Sequence, residues 1–454
     1  MAYGEELRSG RLPSLAPSSI PAPRPVPTVP AYGRVLWLAL LLVAFTVPFE
    51  SATTLPLIGS APRLLGGLTT LLFVASLALR RRVFTVALFG RLLLIHVFWA
   101  GLTLAWALNY PEARRRFFLL VQLVLFAILI VQVARTQRER AILATTYGLG
   151  SVVAGLIVIS NALHRVTYLD QELAVNVVVT RYNISRVARY TIGNEDPNYV
   201  GMILMIGIPM LIWGLWTLHE RRGVGMVMVM VLAPIVAYAA LLTGSRGSTV
   251  LAPVVASVYV IVARGHRNVG RMLAGVLVAG LIGLVVWRHL PPDTQTRVLS
   301  GFDTTQSTSK LRQKAWRAGY HAFLRKPVQG YGLGSYQFAV RNELSRSLVA
   351  HNTYISDLVE LGLVGLSLLG AVLTGIWRRG ARLGDIDRLF VRATLVLFMG
   401  SITFISAELK KVTFFVLALL VAAVTNRSAS DESPASARSL DGDRIAPRRS
   451  ALPR

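Results

Sequence analysis

Arg189, Arg246, Arg312 and His351 combine residue types and settings that suit chemistry on a phosphate. Each lies at the edge of an apolar run or in a loop just beyond one. Counting those runs puts all four on one side of a membrane. A guanidinium keeps its charge at physiological pH and presents a planar fork of N–H donors that grips phosphate bidentately. Several of them in one place suit a pyrophosphate. Histidine supplies the complementary function, because its unperturbed titration near neutrality lets a neutral imidazole accept a proton.

The local sequence supports this. Arg246 sits in Thr243-Gly-Ser-Arg-Gly-Ser248, too short and Gly-rich to be anything but a tight turn between two apolar runs. Such a turn aims N–H groups and a helix N-terminus at an anion. Arg189 precedes Gly193-Asn-Glu-Asp-Pro-Asn198, whose Pro-Asn turns the chain into the next run; Arg186, three residues earlier, suits the same role. Arg189 and Arg246 are expected to face an outer aqueous cavity. The ordinary alternative for both is an interfacial arginine that snorkels to water. For Arg312 it is a solvated face of its helix. His351 stands where a long loop meets an apolar run, and either takes a proton from an acceptor or positions that acceptor. The other six histidines are read as structural or interfacial.

Asn352 and Tyr354 are placed to hydrogen-bond the hydroxyls of a ligand or the imidazole. Glu360, inside an apolar run, is expensive in lipid unless paired. It either orients a nearby arginine or histidine or forms a structural ion pair. No metal centre or cofactor is expected. The chain has no cysteine, and no carboxylate cluster falls on the side of the arginines. The D-x-D of Asp385-Ile-Asp387 falls on the opposite side and reads as an ordinary charged loop.

The elements that must position these residues are membrane helices. Of 454 residues, 54% are hydrophobic and only 15% charged, which places the chain among polytopic membrane proteins. The excess of 48 Lys+Arg over 22 Asp+Glu would suggest nucleic acid in a soluble protein. Here the basic residues alternate with apolar segments, so membrane lipids and phosphates are the expected partners and nucleic acid is not. Apolar runs of spanning length cover 35–49, 64–79, 92–108, 117–134, 141–160, 199–218, 224–242, 248–263, 272–287, 353–377, 389–406 and 412–425. Residues 1–33 and 426–454, rich in Pro, Ser, Ala and Arg, are expected to be disordered tails flanking a membrane domain over 34–425. No cleaved signal peptide is expected.

Arg80-Arg-Arg82, Arg135 to Arg140, Arg221-Arg222, Arg264 to Arg267 and Arg378 to Arg382 all fall on one side, which the positive-inside bias assigns to the cytoplasm with both termini. Arg114-Arg-Arg116, in a short external loop, runs against the rule. Two long loops, about 161–198 and 288–352, face the other side. The second contains an amphipathic helix over 309–323, with Leu311, Ala315, Ala318 and Ala322 on one face. After it, Gly330-Tyr-Gly-Leu-Gly334 calls for tight turns and close backbone approach.

In order, Arg189, Gly193 and Pro197-Asn198, then Thr243-Gly-Ser-Arg-Gly247, then Arg312 and Trp316 resemble the O-antigen ligase and polymerase superfamily. So do Pro327-x-x-Gly-Tyr-Gly-x-Gly-Ser335, His351-Asn-x-Tyr354 and Glu360-x-Gly362. The resemblance covers about 64–425. It implies an all-α, GT-C-like membrane protein of about 12 helices with a large helical periplasmic loop, in the bacterial inner membrane. It implies a metal-independent inverting glycosyltransferase that takes a glycan from undecaprenyl pyrophosphate. Ligases pass the glycan to lipid A core, polymerases to another lipid-linked glycan. His351 would be catalytic, and Arg189 (or Arg186), Arg246 and Arg312 would hold the pyrophosphate. A lipid-linked glycan transporter, or flippase, is the alternative of another class. In a transporter the ionisable cluster should lie at the membrane midplane.

Overall fold

The computed structural model describes residues 33–55, 59–80, 88–166, 189–219, 222–245, 307–344 and 348–425, with isolated positions at 247 and between 287 and 295. The tails through 32 and from 426, the expected spans 248–263 and 272–287 (the last but for its final residue), and Arg186 and Arg246 lie outside the described residues. The described part is helical apart from a two-residue antiparallel pair, Thr54–Leu55 with Gly59–Ser60. Its helices are α1 (Arg34–Thr46), α2 (Ala61–Arg80), α3 (Leu88–Leu102), α4 (Tyr110–Val133), α5 (Gln137–Leu163), α6 (Pro197–Leu218) and α7 (Arg222–Leu242). There follow α8 (Ser307–Arg325), α9 (Tyr336–Ala339), α10 (Thr353–Glu360), α11 (Gly362–Gly380), α12 (Asp385–Ile402) and α13 (Lys411–Thr425).

Among the described residues six helical segments are long and apolar enough to cross a membrane: Arg34–Thr53, Leu88–Trp106, Tyr110–Val133, Gln137–Leu163, Pro197–Leu218 and Gly223–Leu242. Helices α11 and α12 are weaker, because Arg378 and Arg379 close the first and Asp385, Asp387, Arg388 and Arg392 charge the second. The outer surface carries exposed Leu38, Leu71, Phe98, Leu156, Val227 and Met230, side chains that suit a hydrocarbon solvent.

Helix boundaries follow local chemistry. The Asn109 side chain accepts from Glu112 N ahead of Pro111, starting α4 at Tyr110, so the Arg114-Arg-Arg116 run lies on a helix and not in a loop. Thr136 and Glu139 form a reciprocal capping box at α5. Small residues let α5 and α6 approach closely: a Cβ on Gly207 would fall 2.4 Å from Ser151 Cβ, and one on Gly214 would fall 2.2 Å from Thr145 Oγ1. Aromatic stacking of Tyr147 on Phe415 and of Trp213 on Phe390 ties α13 and α12 to this pair. Asp387 accepts from Trp213 Nε1 at 2.7 Å and from Gln137 Nε2 of the neighbouring α5 at 3.1 Å, while Asp385 pairs with Arg388. The D-x-D is thus the first turn of α12.

The expected span 353–377 is two helices, broken at Leu361–Gly362. Gly362 has φ +67°, and a Cβ there would lie 2.1 Å from Val328 O. The break exists to receive the glycine run. Tyr331 N donates to Val359 O, Gly332 N to Glu360 O and Leu363 N to Pro327 O, all at 2.8–2.9 Å. Gly362→Ala should therefore cost about 2 kcal/mol or more, from left-handed backbone plus a clash with rigid backbone. A melt in detergent should show a clearly lower Tm, whereas Gly370→Ala, with nothing within 4 Å, should melt like the parent. Equal melting of the two variants would count against this account of the break.

Candidate functional site

The segment 189–196 folds over the ends of three helices. Arg189 Nε donates to Thr243 O, just past α7, at 3.3 Å, and Tyr190 N donates to Leu242 O. Asn161 near the end of α5 donates to Thr191 O at 2.8 Å, and Ser51 Oγ donates to Ile192 O at 2.9 Å. The chain then reverses through Gly193 (φ +56°) and enters α6 at Pro197.

Asp196 is the N-cap of α6. Its Oδ1 accepts from Asn198 N at 2.7 Å and from Asn198 Nδ2 at 2.9 Å. Asn198 Oδ1 in turn accepts from Arg189 Nη2 at 3.0 Å. The second oxygen of Asp196, Oδ2, lies 3.6 Å from His351 Nδ1. One polar chain therefore runs Arg189–Asn198–Asp196–His351. It brings together two expected site residues 162 positions apart in the sequence. Asp196 is the member that the sequence does not single out, and Asn198 enters there only in a turn and in the motif Pro197-Asn198.

His351 adopts φ +47°, one of two non-glycine residues with positive φ among the described residues. A β-carbon-bearing side chain held in this region marks a locally enforced conformation. The enforcement is visible on both sides. Trp316 Nε1 of α8 donates to Ala350 O at 2.8 Å. Asn352 caps α10 by accepting from Ile355 N at 3.1 Å. Thr353 Oγ1 donates to Ile405 O at 2.8 Å and accepts from Ala407 N at 2.9 Å. Arg312 lies one helical turn before Trp316 on the same face of α8, half-buried.

The remaining expected residues do other work in this structure. The Tyr354 hydroxyl donates to Met399 O at 3.1 Å, toward α12. Glu360, 2% exposed, accepts from Gly334 N at 2.8 Å and Tyr336 N at 3.2 Å, with Arg116 Nη1 at 3.5 Å. It clamps the glycine run and pairs with Arg116, in line with the expected arginine or ion-pair partner, rather than orienting His351. Arg116 also lies 4.0 Å from Glu408, whose Oε1 accepts from Ser356 Oγ at 3.1 Å. Burial holds the Glu408 carboxyl above the usual range. Arg189 is 8% exposed, so it does not stand in an open aqueous cavity as expected. Its guanidinium reached protein acceptors because the 189–196 segment packs over the α7 terminus. A snorkelling arginine would show the opposite.

Every contact of the chain from Arg189 to His351 falls at helix ends, at the end of the bundle where α5, α7 and α12 finish and α4, α6 and α13 begin. The model of the O-antigen ligase family matches residues 232–370, which contain the Thr243 turn, α8, the glycine run, His351 and Glu360. This stretch is similar to the O-antigen ligase family, which supports the resemblance of the chain to the O-antigen ligase and polymerase superfamily. The search of curated proteins gave no match.

Asp196 allows fold and chemistry to be separated. Asn at this position keeps an acceptor for the α6 cap but removes the charge facing His351. Asp196→Asn should melt near the parent temperature yet lower activity by up to about 10²-fold, whereas Asp196→Ala should also lose about 1 kcal/mol of cap stability. Parent-like activity of Asp196→Asn would show that the contact with His351 is incidental.

Proposed function

We propose that this protein is a membrane-embedded, metal-independent inverting glycosyltransferase of the O-antigen ligase type. It moves a glycan from undecaprenyl pyrophosphate to lipid A core at the periplasmic face of the inner membrane. The observation that carries the reading is the Arg189–Asn198–Asp196–His351 chain at one end of the bundle. The matched domain supports a transferase of the ligase/polymerase type, and an O-antigen polymerase of the same superfamily is the second reading. The one-ended placement favours transfer over transport, since a transporter places its ionisable site at the midplane.

In this mechanism the acceptor hydroxyl attacks the anomeric carbon as the bond to the phosphate oxygen breaks. The hydroxyl proton passes to the His351 imidazole, and Asp196 stabilises the imidazolium that forms. Negative charge grows on the departing pyrophosphate. Arg189 (or Arg186), Arg246 and Arg312 stabilise it electrostatically. Asn198 fixes the direction of the Arg189 fork. No three His, Asp or Glu side chains converge as a metal set among the described residues.

The decisive assay supplies an undecaprenyl-pyrophosphate glycan with lipid A core and then without it. Product only with lipid A core is the ligase outcome; elongation of the donor alone would make the protein a polymerase. His351→Ala should lower transfer by about 10²- to 10⁴-fold while donor binding persists, and activity within a few-fold of the parent would remove His351 from the chemistry. Transfer should survive EDTA; strict dependence on added Mg²⁺ or Mn²⁺ would overturn the arginine-based stabilisation. Arg189→Lys keeps the charge but loses the fork, so most transfer should be lost.

A further inference from the structure

Next to the His351 array lies a cavity of about 190 Å³ that the transfer mechanism does not use. Its floor is apolar and buried, built from Val47, Val200 and Ile203. Charged side chains line it as well: Glu50, Arg63, Glu195, Lys410 and Lys411. Two consecutive acids at the entry to α6 separate this cavity from the site. Asp196 faces His351, whereas Glu195 Oε2 faces Lys410 Nζ at 3.1 Å.

The charges of this lining do not cancel. Glu195 is matched by Lys410, whose ammonium also stands 4.4 Å over the Tyr199 ring. Glu50 is matched by Lys411 and accepts from Ser60 Oγ. Arg63, exposed on the first turn of α2, has no ion-pair or hydrogen-bond partner among the described residues. The cavity is left with one uncompensated guanidinium and two ammonium groups held in place by their carboxylates. Its volume is several times the roughly 30 Å³ that one water takes in the liquid, so an oxyanion can enter with part of its carrier. A guanidinium fork beside fixed ammonium groups is the donor set that phosphate favours.

The geometry points to this cavity as a second phosphate-binding site, with the Arg63 fork as its principal ligand and Lys410 and Lys411 as supporting charges. The phosphate belongs either to a phosphorylated sugar or to a lipid headgroup. The inference stands apart from the glycosyl-transfer reading, because it concerns binding at residues that mechanism leaves aside.

Binding tests it on the full-length protein. The protein is placed in phosphatidylcholine nanodiscs and melted with increasing galactose 1-phosphate, with galactose as control. A second arm replaces part of the phosphatidylcholine by phosphatidylglycerol, without sugar phosphate. A rise in Tm with galactose 1-phosphate but not galactose assigns the sugar source; a rise with phosphatidylglycerol alone assigns the lipid source. In the responding arm Arg63→Gln should weaken the apparent affinity about 10-fold or more, and Arg63→Lys should restore part of it. Arg63→Gln should melt like the parent without ligand, since its side chain is exposed and unpaired within the described structure. Arg189→Gln should leave this response in place. No response in either arm, or a response lost in Arg189→Gln and kept in Arg63→Gln, would overturn the proposal.

Discussion

The carboxylate of Asp196 serves two masters, and the architecture of the site depends on this. One oxygen caps α6 and holds Asn198, which holds Arg189; the other faces His351. The N-terminus of α6 carries partial positive charge, which favours an anion at that position. The same helix is closely packed on α5 through glycines, so the cap has little room to move. An acid anchored in this way places a histidine and an arginine from distant parts of the chain in fixed relation. That preorganisation is what electrostatic stabilisation of a transition state requires.

The other half of the site is held by a frame of backbone hydrogen bonds. Glu360 binds the N–H groups of Gly334 and Tyr336, while the break at Gly362 lets the glycine run pair with the end of α10. Tyr336 Oη then donates to Ala315 O, docking α8 on this frame. From α8, Trp316 reaches the carbonyl just before His351. The left-handed backbone of His351 is thus enforced by contacts that begin far from it. Glu360 contributes to the site by shaping the support of α10, without touching the imidazole.

Both halves meet where helices end. Hydrocarbon demands that backbone groups be satisfied within helices, so irregular segments and charges gather at the interface. The 189–196 segment, the Thr243 turn, the glycine run and the turn before α13 all obey this constraint. Their carbonyls and N–H groups bond one another and nearby side chains instead of lipid. A glycan carried on a membrane lipid would meet the protein at this level.

Much of this was legible in the residues themselves. Apolar run lengths marked α4 to α7 as membrane helices, and the stripe through Leu311, Ala315 and Ala318 marked α8. These are local properties, set by hydropathy and helical period. The residue types of His351 and Arg189, at the edges of apolar runs, likewise marked them as candidate site residues. Partnership was not local. Nothing in the spacing of Asp196 and His351 tells that they lie 3.6 Å apart, or that Glu360 spends its oxygens on Gly334 and Tyr336. Nor does it tell that Asn352 and Tyr354 bond Ile355 and Met399. A polar side chain at a helix end has several possible partners of equal chemistry, and only the packing of helices from distant sequence decides which of them comes within hydrogen-bonding reach.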